Sequence, residues 1–271
     1  MRRLSFWKMS GAGNDFIVVD AGDLDGTDPS WLAQRICTRA LSLGADGLIL
    51  IEPVDRQHVT IHFYNPDGSA AQMCGNGSRC AARYAADHGY VDPGGFQLLT
   101  DSGPLDVIAG DGLFQVVMPK PVDLRLDFME IEEAGERYPV HAVQIGVPHA
   151  VVVLPDVEQF SDADLTRIGR GLRHNANFPA GTNTNFVTIK PDGRVRQRTY
   201  ERGVEALTKA CGTGSTASAV VLTAKFRLDR PIELDVDGGR LRIDRRAEQL
   251  WLSGDARVIA RGQLDPEALA W

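Results

Sequence analysis

The sequence predicts a mixed α and β chain in which one α/β unit is built twice, and three observations predict it. A cysteine followed at once by a glycine-rich turn stands at Cys74-Gly-Asn-Gly-Ser78 and again at Cys211-Gly-Thr-Gly-Ser215, each time opening a helix-like run. Ahead of each copy, apolar runs of strand length are punctuated by turn signals and one helical pattern. Between the halves, Pro119-Lys-Pro121 breaks any regular element, and the main boundary is placed there. The expected domains are 1–118, joined by about 263–271, and 119–262.

In chain order, residues 2–9 and 15–21 read as two strands with Ser10-Gly-Ala-Gly-Asn14 turning between them. Asp28 and Pro29 supply the N-cap and first-turn proline of a helix reaching about Ala40, whose face of Leu32, Ile36, Cys37 and Ala40 makes Cys37 a core residue. Strands follow at Gly47–Ile51 and His58–Tyr64, then a turn at Asn65-Pro-Asp-Gly68. The first cysteine helix is read over Ser78–Asp87 and is stopped by Gly89. Residues 95–118 read as three strands separated by Asp101-Ser-Gly103 and Gly110-Asp-Gly112. The second half gives strands near 139–145 and 150–154, a helix at about 162–173 and a hairpin from Asn185–Ile189 through Pro191-Asp-Gly193 to Arg194–Tyr200. The second cysteine helix is read over Ser215–Lys225, with closing strands at Ile232–Val236, Gly239–Ile243, Leu250–Ser253 and Ala256–Ala260. A fainter echo pairs Gly13-Asn-Asp-Phe-Ile-Val18 with Asn183-Thr-Asn-Phe-Val187.

Composition excludes several classes. With 43% apolar and 24% charged residues, a net charge of −7 and no dense Lys/Arg run, the chain reads as globular and not as a nucleic-acid binder. No apolar run approaches the roughly 20 residues needed to span a bilayer, so no membrane partner is expected. The start, Met1-Arg-Arg-Leu-Ser-Phe-Trp7, lacks an apolar signal region, and a cytoplasmic location is expected. The four cysteines form no paired metal-binding spacing and no disulfide framework, so no metal is expected.

The doubled cysteine turn carries the chemistry. The first turn of a helix has backbone N–H groups without intrahelical acceptors and about half a positive charge, so it favours an anion. A thiol placed there is drawn towards thiolate from its ordinary pKa of about 8.5. Two such helix starts across a cleft would hold one carboxylate and present sulfur to both faces of the carbon attached to it. That arrangement suits inversion of a stereocentre by proton transfer. A lone cysteine is more often an apolar filler, but repetition of the whole turn argues against that reading.

These motifs, with Lys8-Met-Ser-Gly-Ala-Gly-Asn-Asp-Phe16, Gly44-Ala-Asp-Gly47, Asn65-Pro-Asp-Gly-Ser69, Met73-Cys-Gly-Asn-Gly-Ser-Arg-Cys80, Gly146-Val-Pro-His149, Gly181-Thr-Asn183, Tyr200-Glu-Arg-Gly203 and Ala210-Cys-Gly-Thr-Gly214, span nearly the whole chain. In this the chain resembles the diaminopimelate epimerase family of PLP-independent amino-acid racemases. The resemblance implies an α+β fold of two similar pseudo-symmetric domains, each a mixed β-sheet wrapped around a central helix, and a homodimer. It also implies interconversion of LL- and meso-diaminopimelate for lysine and peptidoglycan precursors, with a thiol and a thiolate as the two bases. By position, Cys74 and Cys211 become the catalytic pair, and the backbone of Gly75, Asn76, Gly212 and Thr213 the holder of the α-carboxylate. Asn14, Asn65, Asn183, Glu201 and Arg202 become substrate contacts, the last four at the distal end, where a zwitterionic head needs acceptors and a bidentate donor.

Asn14 and Asn65 are equally suited to satisfying local backbone, His149 to a structural role, and Asp46 and Asp67 to turns and packing. Ser10, Val147 and Leu207 depart from the family pattern, which has His, Asn and an acidic residue at those places, and Lys209 is a further cation near Cys211. A racemase of another polar amino acid is therefore one alternative. From another class, a redox protein with a reversible Cys74–Cys211 disulfide is a second, and a binding module for anionic amino acids a third.

Overall fold

Among the described residues, eighteen strands and four α-helices follow one another in an order that repeats itself. The structure is a computed structural model and describes residues 3–71, 74–92, 94–110, 113–228 and 230–271. Met73 of the first cysteine motif, residue 2 of the expected first strand and the Asp111-Gly112 part of one expected turn lie outside the described residues. The first half carries β1 (Leu4–Gly11), β2 (Asn14–Asp20), α1 (Pro29–Ile36), β3 (Gly47–Pro53), β4 (His58–Tyr64), β5 (Ala70–Ala71), α2 (Gly75–Asp87), β6 (Gly94–Thr100), β7 (Gly103–Gly110) and β8 (Leu113–Met118). The second carries β9 (Pro121–Glu133), β10 (Glu136–Ile145), β11 (Val147–Val153), α3 (Asp162–Arg173), β12 (Asn183–Ile189), β13 (Val195–Glu201), β14 (Ala206–Thr208), α4 (Gly212–Phe226), β15 (Ile232–Val236), β16 (Gly239–Arg246), β17 (Gln249–Gly254) and finally β18 (Arg257–Leu264).

Two compact units result, Met1–Val116 with Gly254–Trp271, and Val117–Ser253. The return to the first unit comes at Gly254 because β18 pairs antiparallel along the whole of β1, from Leu4↔Leu264 to Ser10↔Arg257. In the first unit the sheet runs β18-β1-β2-β3-β4-β6-β7-β8, with β2–β3 and β4–β6 parallel and the other pairs antiparallel. In the second it runs β9-β10-β11-β12-β13-β15-β16, with β11–β12 and β13–β15 parallel. The short strands β5 and β14 occupy matching places beside β4 and β13.

Each sheet has a helix on both faces, as alternation along its strands requires. In the first unit Ile17, Val19, Leu48 and Leu50 face α1, joining Leu32, Ala33 and Ile36 in one core cluster that also holds Cys37. The intervening Phe16 and Ile49 lie beneath α2, where a Cβ on Gly77 would come within 3.3 Å of each. In the second unit Ala150, Val152 and Phe186 pack on Leu165, Ile168 and Leu172 of α3, and α4 covers the opposite face against β9 to β12 and β16.

Several boundaries shift for local reasons. Both cysteine helices start three residues before the expected serines, at Gly75 and Gly212, with Cys74 and Cys211 as their N-caps. The α1 helix stops at Ile36, short of Ala40, because the amides of Gly44 and Ala45 fold back onto the carbonyls of Ile36 and Cys37. The strand β9, where no element was expected, pairs with β10 through two bulges, and Asp123 and Asp127 adopt left-handed φ of 52° and 49°. The Gly13–Val18 and Asn183–Val187 echo is not a structural correspondence, since the first lies on β2, whose counterpart is β11, and the second on β12, whose counterpart is β3.

Candidate active site

Cys74 and Cys211 occupy the same backbone conformation, φ −125° and ψ 111° against φ −126° and ψ 112°, each as the extended residue before a helix. The glycines after them are required by packing. A Cβ on Gly77 would stand 2.5 Å from the Phe63 ring, and one on Gly214 2.2 Å from the Asn185 Oδ1. Each helix start is thereby seated directly on its sheet.

The surroundings of the two sulfurs differ. The Cys211 Sγ accepts from the Gly214 amide at 3.4 Å and lies 3.4 Å from the Thr213 hydroxyl, so the sulfur caps its own helix. The Cys74 Sγ lies 3.6 Å from the Asn14 Oδ1, to which the thiol donates. Asn14 in turn donates from Nδ2 to the Asp46 Oδ2 at 2.7 Å. Asp46 also accepts from the Asp15 amide at 3.1 Å and from Arg39 at 2.9 Å. Lys8 and Arg39 hold Asp15 at 3.1 and 2.6 Å. Burial opposes ionisation of Asp15, but the hydrogen bonds from Arg39 and Lys8 outweigh it and keep its carboxyl below the ordinary range.

Beneath the Cys74 helix start lies Arg79, with no exposed surface. Its guanidinium donates to the Asn76 Oδ1 at 2.9 Å, the Gly75 carbonyl at 3.1 Å and the Asp255 carbonyl at 3.3 Å. The Asn76 side chain is therefore turned into the protein, and burial lowers the pKa of Arg79. At the matching place on α4, Thr216 donates its hydroxyl to the Gly212 carbonyl at 2.9 Å.

The second unit has a polar floor where the first has an apolar one. Gln197 donates to Thr199 at 3.0 Å and to Ser215 of α4 at 3.2 Å, and Thr199 donates to the Asn185 Oδ1 at 3.1 Å. By strand register these residues correspond to Ile61, Phe63 and Ile49 of the first unit. His149 stands where Phe16 stands. It is fully buried with Nδ1 3.3 Å from the Asn185 amide nitrogen, and burial pushes its imidazole down to about 3, with the charge of Arg202 adding to the shift.

Asn183 is buried and its Oδ1 accepts from the Arg202 amide at 2.7 Å, while the Arg202 guanidinium donates to the Ala180 carbonyl at 2.9 Å. Glu201 accepts from Thr208 at 2.9 Å, and burial raises its carboxyl above the ordinary value against that bond. Asn183, Glu201 and Arg202 are thus gathered at the meeting of β12 and β13. Asn65 is placed differently, in an exposed turn where its side chain donates to the Ser69 hydroxyl at 2.9 Å. Lys209 is exposed, and so screened by solvent. Leu207 packs against the core cluster beneath α3, which accounts for an apolar residue at that position.

The sequence reading missed Asp46 as a partner of Asn14 and missed Arg79 altogether. A buried arginine next to a cysteine turn was a signal available in Gly75-Asn-Gly-Ser-Arg79. Burial pushes the thiols of Cys37 and Cys80 up to about 12, so neither has nucleophilic character. Among the described residues no group of three or more His, Cys, Asp or Glu is arranged to hold a metal ion. No helix among them is long and apolar enough to cross a membrane.

A mixed-sheet unit built twice, each copy with helices on both faces of its sheet, defines a fold already seen in solved structures. A phenazine biosynthesis protein of the PhzF family from Bacillus anthracis is similar with a TM-score of 0.76 at 13% identity, over 98% of this chain and 100% of that one. A hydroxyproline epimerase from Agrobacterium vitis is similar with a TM-score of 0.68 at 19% identity, over 98% and 94%. At the level of sequence, the family model for diaminopimelate epimerase matches residues 6–121 and 141–259. A diaminopimelate epimerase of Methanocella arvoryzae is 37% identical over 98% of both chains, and one of Caldanaerobacter subterraneus 33% identical over 97% of this chain and 100% of its own. The chain belongs to the diaminopimelate epimerase family, a family of isomerases.

Proposed function

We propose that this chain epimerises LL-diaminopimelate to meso-diaminopimelate without a cofactor, in the cytoplasm and as a homodimer, supplying lysine and peptidoglycan precursors. One of Cys74 and Cys211 removes the α-proton as thiolate, and the other delivers a proton to the opposite face as thiol. The observation that carries this reading is the duplicated N-cap geometry of the two cysteines. The α-hydrogen of an amino acid is a very weak acid, so a site without an electron sink must stabilise charge growing on the carboxylate. Backbone amides of Gly75, Asn76, Gly212 and Thr213 are of the right kind to do so, since helix starts attract anions. Asn14, Asn65, Asn183, Glu201 and Arg202 recognise the remainder of the substrate in this proposal, with Glu201 receiving the distal ammonium and Arg202 the distal carboxylate.

The test is proton exchange in deuterated water. Purified protein with no added cofactor is expected to wash deuterium into the α-position of diaminopimelate and to equilibrate its isomers. The reading is overturned if exchange survives Cys74→Ala combined with Cys211→Ala, or if other amino acids are racemised while diaminopimelate is inert.

A further inference from the structure

We propose that Asp46 is a positioning residue that fixes which end of the Asn14 carboxamide faces the Cys74 sulfur, and so favours the protonated thiol at that cysteine. This goes beyond the sequence reading of Asp46 as a turn and packing residue, and it rests on the proposed catalytic role of Cys74.

An asparagine amide has a donor end and an acceptor end of nearly the same shape, and only its partners decide which points where. In Asn14 the decision is made by a carboxylate, which can only accept, so Nδ2 must point to the Asp46 Oδ2 at 2.7 Å. The carbonyl end is thereby left for sulfur, 3.6 Å from the Cys74 Sγ. A carbonyl oxygen accepts from S–H but repels a thiolate. The orientation imposed by Asp46 therefore holds the proton on Cys74. Without Asp46 the amide is free to turn over and offer N–H to the sulfur, which favours the anion.

Asp46 is itself held in place. Its Oδ2 also accepts from the Asp15 amide at 3.1 Å, and its Oδ1 accepts from Arg39 at 2.9 Å. Because β2 pairs parallel to β3 from Phe16↔Gly47 onward, Asn14 at the start of β2 and Asp46 just ahead of β3 stand side by side, where the backbone fixes their separation. The charged groups around α2 act against a simple field effect of Asp46. Lys8 of β1 and Arg39 balance Asp15, and Asp20 of β2 accepts from Tyr84 and Tyr90. Asp106 of β7 accepts from Gln97, Asp255 pairs with Arg257, and Arg83 of α2 itself pairs with Asp87. Glu52 of β3 is exposed, and Arg79 is a buried cation below the first turn. The charge of Arg79 favours thiolate at Cys74, and the carbonyl of Asn14 acts in the opposite direction.

The test reads the sulfur directly, without turnover. Iodoacetamide alkylation of Cys74 is followed by mass spectrometry from pH 5 to 10 in the full-length protein. Asp46→Ala is expected to lower the apparent pKa of Cys74 by about one unit, making its alkylation at pH 7 about tenfold faster. Asp46→Asn keeps an acceptor oxygen for Asn14 while losing the charge, and is expected to match the parent protein. If Asp46→Ala matches the parent, or if Asp46→Asn shifts as far as Asp46→Ala, orientation is not the cause and the proposal is overturned.

The unaltered protein gives a second measurement that needs no variant. One of the two Asn14 side-chain amide protons is expected to resonate downfield of its place in a solvated amide, because it is bonded to the carboxylate. Both protons at the positions of a solvated amide overturn the proposal. A chain that shows this alkylation pattern yet leaves diaminopimelate unchanged refutes the proposed function and leaves the role of Asp46 standing.

Discussion

Replacing Gly214 by alanine should damage the protein from one added methyl. The new Cβ would sit 2.2 Å from the Asn185 Oδ1, well inside contact distance. Asn185 is fully buried and tied on both ends, donating to the Ala150 carbonyl at 3.1 Å and accepting from Thr199 at 3.1 Å. It cannot retreat without breaking one of these, and α4 cannot lift without moving Cys211. Overpacking of a tight interior costs about 1–3 kcal/mol, and leaving a buried polar group unsatisfied about 1–3 more. Alanine returns at most about 1 kcal/mol through helix propensity. The net expectation is destabilisation by about 1–5 kcal/mol, seen as a lower urea midpoint at unchanged m-value, together with loss of turnover as the Cys211 turn shifts. A midpoint equal to or above that of the parent would refute the claim that this glycine is demanded by the buried amide.

Three further outcomes are expected. On α3, Gly171→Ala should stabilise by up to about 1 kcal/mol because nothing lies within 4 Å of the new Cβ. Gly169→Ala should destabilise, since its Cβ would meet the Tyr200 Cβ at 2.5 Å; thermal melts of the pair decide the matter. His149, held neutral with its imidazole down at about 3, takes up a proton in the unfolded chain near pH 6.5 but not in the fold. Its contribution to stability is therefore present above pH 6.5 and is lost as pH falls towards 3, by up to about 1.4 kcal/mol per pH unit. Replacing His149 by Asn should flatten the acid limb of urea stability between pH 4 and 7, and an unchanged slope counts against a buried neutral ring. Finally, Cys37 and Cys80, both pushed up to about 12 by burial, should resist alkylation at pH 8 until the protein is unfolded, as peptide mapping would show.

Much of this architecture was legible in local signals. Asp28 caps α1 through the Ser30 and Trp31 amides, as its place before Pro29 announces. The starts of the cysteine helices were read late because glycine is a poor helix former, yet Gly77 and Gly214 are there for close approach to the sheet, a tertiary demand that overrides propensity. The strand β9 alternates through Val122, Leu124 and Leu126 in the manner of a strand, but those residues are exposed and the flanking prolines masked the pattern. Of the site, the cysteine turns are visible as short motifs, whereas the grouping of Asn183 with Glu201 and Arg202 follows from the family resemblance, which sets Asn65 beside them as well. The link from Asp46 to Asn14, and the polar floor of Gln197, Thr199 and Asn185, depend on strand register and so on pairings far apart in the chain.

The pairing of β18 with β1 makes the amino-terminal half a discontinuous piece of chain. As the polypeptide emerges from the ribosome, β1 appears well before its outer neighbour, which lies some 250 residues further along the chain. Until then one edge of the earlier-made sheet stays open. Completion of that half is thus a late event in biogenesis, and an internal piece ending before Arg257 would carry an unsatisfied edge open to association with other chains.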